Sequence, residues 1–136
     1  MGWGAAYGKL STGGRWTENE SKQHINALEL KAAYFALQSI CDRCRNIHIR
    51  ILIDNTTAVA YINNMGGSHS LVCNDIANDI WLWCLHRNLW LSAAHLPGSQ
   101  NVEADKASRV FFMITQSGNF TQIYFNLLLK NFLPQQ

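Results

Sequence analysis

Ile47-His48-Ile49-Arg50-Ile51-Leu52-Ile53-Asp54-Asn55-Thr56-Thr57 is the stretch on which the fold class turns. Isoleucine occupies every second position from 47 to 53, with His48, Arg50, Leu52 and Asp54 between and after them. A period of two in β-branched residues marks a strand with one face in a core. The character then reverses. Asn55, Thr56 and Thr57 are capping residues, and Ala58, Val59, Tyr61 and Ile62 recur at helical spacing until Gly66-Gly67 stops the helix. A strand that runs straight into a helix is half of a β-α-β unit. The expectation is an α/β protein with a partly parallel sheet, and ligands at the carboxyl ends of its parallel strands.

Upstream, Ile25, Leu28, Ala32, Ala36 and Ile40 predict a helix from about 22 to 40, followed by a polar, basic link from Asp42 to Asn46. Before it, Trp3, Ala5 and Tyr7 alternate with small residues. Ser11-Thr12-Gly13-Gly14 interrupts and Arg15-Trp16-Thr17 resumes, which reads as a β-hairpin. Downstream, a helix is expected from about 69 to 87, a strand from 89 to 96, and a short helix from 102 to 109 capped by Asn101 after Pro97-Gly98. Residues 2–109 then form the domain, and 110–136 an apolar tail expected to close as a helix near 120–133. No internal repeat or linker is visible.

With 136 residues, 48% hydrophobic and 15% charged, the chain suits one packed domain and excludes a disordered or coiled-coil class. No stretch resembles a membrane span, and Met1-Gly2-Trp3-Gly4 lacks the basic and apolar regions of a secretory signal. The expected location is intracellular, in cytoplasm or nucleus. A net charge of +2 permits a nucleic-acid partner without demanding one. Of the four cysteines, Cys41 and Cys44 have the spacing of a zinc or redox pair, but Cys73 and Cys84 do not complete a second pair. Buried thiols are the expectation for all four.

Only nine residues are acidic, so their placement is informative. Asp54 ends the isoleucine strand on the face opposite the isoleucines. Its bland reading is a helix cap, which Asn55 or Thr56 could supply equally well. Glu29 lies among Ile25, Ala32, Ala33 and Ala36, where a carboxylate costs several kcal/mol unless paired or bound to a cation. Its bland reading is a capping box with Asn26. Asp105, alone, is an ordinary surface acid of the last short helix. Together the three carboxylates can reach one edge of a sheet, and an all-oxygen set suits Mg²⁺ or Mn²⁺ rather than zinc. A pair of such ions serves phosphoryl chemistry.

Gly2-Trp3-Gly4-Ala5, His24-Ile25-Asn26-x-Leu28-Glu29-Leu30, Ile53-Asp54-Asn55-x-x-Ala58-Val59-x-Tyr61-Ile62-Asn63 and Gly66-Gly67 resemble the ribonuclease H domain of retroelement reverse transcriptases. So does His95-x-Pro97-Gly98-x-x-Asn101-x-x-Ala104-Asp105-x-x-Ser108-Arg109. The likeness is above all to DIRS-like, tyrosine-recombinase retrotransposons, and covers residues 2 to about 109. It implies a ribonuclease H-like mixed sheet with flanking helices, and hydrolysis of the RNA strand of RNA–DNA hybrids with two Mg²⁺ (or Mn²⁺) ions. Glu29, Asp54 and Asp105 match the second, third and fourth of the family's four metal-holding carboxylates. His95 matches a loop histidine that helps proton transfer or product release; its bland reading is a histidine that closes a strand. Asn26 matches an asparagine in the hybrid's minor groove, where 2′-hydroxyls mark the RNA strand, and Asn55 is placed with it as substrate-binding. The implied partner besides the hybrid is a reverse-transcriptase polyprotein, to which the domain is fused or from which it derives, and no membrane.

Two departures qualify the resemblance. The family's first catalytic Asp lies on a strand before Gly-Trp-Gly-Ala, and here only Met1 precedes Gly2. The fold is therefore expected to be N-terminally truncated, with little or no nuclease activity. Asn63 to Cys73 also lacks the Lys and Arg of the bacterial members' basic loop. The alternative is a non-catalytic ribonuclease H-like module that binds nucleic acid or a partner. An integrase or transposase core fits less well, because Glu29 precedes Asp54 and the last-helix acid is Asp105. Without a first strand, the Gly2–Gly8 strand is expected to pair directly with the Ile47–Asp54 strand and the isolated chain to be unstable in solution, the alternative being that another segment fills the gap.

Overall fold

In the computed structural model of the chain, residues 2–7, 10–53, 55–95, 113–115 and 121–130 are described, with backbone alone for 6, 7, 10, 11, 113–115 and 121–130. The protein is mixed α/β. Its strands are β1 (Gly2–Tyr7), β2 (Leu10–Arg15), β3 (His48–Ile53), β4 (Trp90–His95), β5 (Met113–Thr115) and β6 (Thr121–Lys130). Its helices are α1 (Glu18–Ser21), α2 (Ile25–Ile40), α3 (Thr56–Asn63) and α4 (Leu71–Leu85).

All six strands form one sheet in the order β2-β1-β6-β3-β4, with β5 also on β6. β1 is antiparallel to β2 and to β6, whereas β3 is parallel to both β6 and β4. The isoleucine alternation behaves as its period requires. Ile49, Ile51 and Ile53 are fully buried, and His48, Arg50 and Leu52 on the other face are half-buried. The helices supply the rest of the core. Leu28, Leu30, Ala32, Ala33, Ala36 and Leu37 of α2 are buried with Ala58 and Ile62 of α3 and Ile76, Ala77, Ile80 and Trp81 of α4. The alanine run lets α2 lie close to its neighbours. At the hairpin end the rings of Trp3 and Trp16 pack on Phe35, with centroids 5.8 and 6.1 Å apart.

The structure corrects two expectations. Residues 121–130 are a strand, not part of a helix, and β1 does not pair with β3: β6 lies between them. The register explains both. Leu127 and Leu129 stand opposite Ala5 and Trp3, and Ile123 and Phe125 opposite Ile49 and Ile51. Ile123, Phe125, Leu127 and Leu129 have the period of a strand, whereas Phe120, Ile123, Tyr124 and Leu127, which suggest a helix, recur at spacings of three and one. Two sheet edges with unmade backbone hydrogen bonds decide the contest, since each buried orphan costs about 1–3 kcal/mol. β5 pairs with residues 121–123 of β6, beyond the 126–130 stretch that β1 pairs.

Smaller elements were also hidden. The helix α1 opens with a capping box, in which Thr17 and Glu20 exchange hydrogen bonds of 2.9 and 3.1 Å. Thr17-x-x-Glu20 is that motif in the sequence. The capping-box reading of Glu29 does not hold, because α2 is capped by His24 and not by Asn26. The helix α3 ends as expected at the glycine pair. Gly66 has φ +134°, a conformation that favours glycine, and a Cβ on Gly67 would lie 2.6 Å from the Tyr61 ring. The expected helix from 102 to 109 lies outside the described residues.

Candidate functional site

The N-terminal turn of α2 holds the first functional side chains. The Nδ1 of His24 accepts from the Asn26 backbone N–H at 3.1 Å, which starts the helix at Ile25. Asn26 then faces the end of β3. Its Oδ1 accepts from Asn55 Nδ2 at 2.9 Å, while Asn55 Oδ1 accepts from Ala58 N–H at 2.8 Å and caps α3. One amide side chain thus ties the start of α3 to the start of α2. The two asparagines singled out in the sequence are in direct contact. The bond from Asn55 orients the Asn26 amide, whose NH₂ group is a donor suited to hydroxyl and phosphate oxygens.

Glu29 follows Asn26 by one helical turn, on the same side of α2. It is 3% exposed, the one buried charged residue among the described residues. Its helical neighbours Leu28, Leu30, Ala32 and Ala33 are buried too. His95 ends β4, and its backbone stands opposite Ile53 in the parallel register, with the side chain exposed. Asn26, Glu29, Asn55 and His95 therefore belong to the carboxyl edge of β3 and β4 or to the helix end beside it. Asp54 and Asp105 lie outside the described residues. Among the described residues no three His, Cys, Asp or Glu side chains are grouped as metal ligands.

The β4 strand is positioned by a residue quoted above without a role. Asn63 donates to Ala93 C=O at 2.9 Å and accepts from Ala93 N–H at 2.8 Å. This pair satisfies the outer edge of β4, where a further strand would otherwise bond. On the face of β3 away from the core, His48 Nε2 is 2.9 Å from Ser92 Oγ. Burial, followed by the charge of Arg50, holds the His48 imidazole below its ordinary pKa.

Beside the two asparagines opens a cleft of about 570 Å³, lined among others by His24, Asn26, Thr57, Tyr61, His69 and Ser70. Three helix starts meet there: His24 caps α2, Thr57 is in the first turn of α3, and Ser70 caps α4. Tyr61 holds the third in place, since its hydroxyl oxygen accepts from Ser70 N–H at 3.0 Å. Helix starts present backbone N–H groups and partial positive charge, a setting that favours anions. The sequence marks only one of these starts, that of α3, by Asn55, Thr56 and Thr57; the caps His24 and Ser70 come from the structure. What the sequence does not contain is their convergence. Compared with known proteins, the chain matches no family model, no curated protein and no solved structure.

Proposed function

We propose that the chain is a ribonuclease H-like domain of the retroelement reverse-transcriptase type, which engages RNA–DNA hybrids at the carboxyl edge of β3 and β4. The observation that carries the reading is the buried Glu29 one turn from the Asn26–Asn55 pair, at the mouth of the strand whose next residue is Asp54. A carboxylate is costly among alanines and leucines unless it serves a cation or a partner. The sheet order supports it as well, with two antiparallel pairings on one side and two parallel pairings on the other.

In this reading Glu29, Asp54 and Asp105 would hold the divalent ions, and the hard oxygen of Glu29 fits Mg²⁺ or Mn²⁺. The ions supply charge neutralisation at the scissile phosphate and a nucleophile at neutral pH. The chain's own groups do the rest. The NH₂ of Asn26 donates to the 2′-hydroxyl side of the hybrid, and Asn55 fixes its orientation through the 2.9 Å bond. The three helix starts receive backbone phosphates, the part that basic residues play elsewhere. His95, exposed at the end of β4, moves a proton to the departing 3′-oxygen.

A second reading, hybrid binding without hydrolysis, is favoured by β6. The resembled family carries its first catalytic Asp on the strand between the positions of β1 and β3. Here that place is held by β6, whose sequence Thr-Gln-Ile-Tyr-Phe-Asn-Leu-Leu-Leu-Lys has no acidic residue. One experiment separates the readings: anisotropy of a labelled RNA–DNA hybrid, then incubation with Mg²⁺ or Mn²⁺. Metal-dependent cutting of the RNA strand, lost in Asp54→Asn, supports hydrolysis. Binding without cutting supports the second reading, and no preference for the hybrid over duplex DNA sinks both.

A further inference from the structure

We propose that Cys41 and Cys44 are a redox couple, in which a peroxide oxidises Cys44 and Cys41 resolves it to an intrachain disulfide at the C-terminal end of α2. Cys41 is the C-cap of α2, and Cys44 N–H donates to Cys41 C=O at 3.1 Å. A four-residue turn closed in this way brings its outer Cα atoms within ~7 Å, about the upper limit for a disulfide. Both are free thiols, Cys41 buried and Cys44 half-buried, so reagent reaches the second and not the first. The Cys41 thiol donates to Cys44 sulfur, which with Arg45 outweighs desolvation and lowers the Cys44 thiol to about 7. The same bond to Cys44, then burial, pushes Cys41 up, so the proton stays on the buried sulfur. Cys84, also buried, is pushed up to about 12 by burial and stays a thiol. One sulfur is thus a nucleophile at neutral pH, and the turn closed by the Cys44 N–H to Cys41 C=O bond keeps its partner within reach.

The chemistry balances with hydrogen peroxide as oxidant. Cys44 thiolate attacks one peroxide oxygen, the O–O bond breaks, and the departing oxygen takes a proton as water, leaving Cys44 as sulfenic acid. Cys41 sulfur attacks Cys44 sulfur, the S–O bond breaks, and hydroxide leaves with the Cys41 proton as a second water. The two thiols lose two electrons and two protons, and the peroxide is reduced to two waters.

The test uses the whole reduced chain with stoichiometric hydrogen peroxide. Its intact mass should fall by two hydrogens. Trypsin cuts after Arg43, between the two cysteines, so the Cys44-Arg45 fragment should stay joined to the one ending at Arg43 until a reductant is added. Cys41→Ser should leave Cys44 as a sulfenic acid trapped by dimedone, and Cys44→Ser should slow oxidation at least tenfold. A first product linked through Cys73 or Cys84, a disulfide-linked dimer, or an unchanged mass overturns the proposal. Should the variants fail to fold, alkylation of the wild-type chain decides. Cys44 should label first, with a rate midpoint near pH 7. Another cysteine labelling first, or a midpoint near the ordinary thiol value of about 8.5, overturns it.

Discussion

Glu29 and Asn26 show what one helical turn holds and what sequence alone says about it. Glu29 was conspicuous because its neighbours are apolar, and it is indeed buried at 3%. If it serves a divalent cation, millimolar Mg²⁺ should raise the melting temperature of the wild-type chain, since a ligand of the folded state stabilises by mass action. Glu29→Gln should abolish that rise while still melting cooperatively. An equal Mg²⁺ shift in both proteins would place the ion elsewhere. The Asn26–Asn55 bond was not legible, because 29 residues separate its partners. Asn26→Ala should cost about 0.5–1.5 kcal/mol, the net worth of one hydrogen bond. Asn55→Ala should cost ~1 kcal/mol more, since it also uncaps α3. Urea unfolding of both single variants and the double variant should give a coupling above ~0.5 kcal/mol; strict additivity would show that the pair is incidental.

Elements were legible in proportion to how far their own residues decide them. The isoleucine strand, α2, α3, α4 and β4 each carry a single clear period, and the structure moves their ends by two or three residues at most. The tail carries two periods at once, so its own residues leave it undecided, and the sheet chooses for it. A strand held on both edges has no spare N–H, so proline is more damaging in β6 than in a helix end. Asn126→Pro, opposite Ala6 on one side and Leu52 on the other, should lower stability by ~3 kcal/mol or more, seen as a large drop in the urea midpoint. A loss below ~1 kcal/mol would mean that residues 121–130 are not a central strand in solution.

The whole molecule gathers three helix starts at one cleft, and this sets how it should respond to salt. Affinity built on Lys and Arg releases counterions and falls steeply with ionic strength, at ~0.9 per phosphate neutralised. A net charge of +2 and a 63–73 link without Lys or Arg leave little of that kind. Hybrid binding should therefore be weak but shallow in salt, with a log–log slope of about two or less in magnitude. A slope beyond about five would move the interface to a basic surface elsewhere. Of the three helix starts only that of α3 was marked in the sequence, by Asn55, Thr56 and Thr57. Their meeting depends on how α2, α3 and α4 lie on the sheet, which no local pattern encodes.

The pairing of β1 with β6 puts Gly2 opposite Lys130. Antiparallel neighbours that meet at their ends need only a two-residue turn to become a hairpin. The backbone is therefore nearly a ring. A chain rewired so that Lys130 leads through Asn-Gly into Gly2, and opened instead between α1 and α2, would keep every β1–β6 pair while making it local. Contacts that now close the whole length of the polypeptide would form across a few residues, and a lower contact order speeds folding. Such a permuted protein should refold faster than the parent in stopped-flow measurements at the same final sheet order. Among the described elements its order would be α2-β3-α3-α4-β4-β5-β6-β1-β2-α1, so that β6 leads directly into β1.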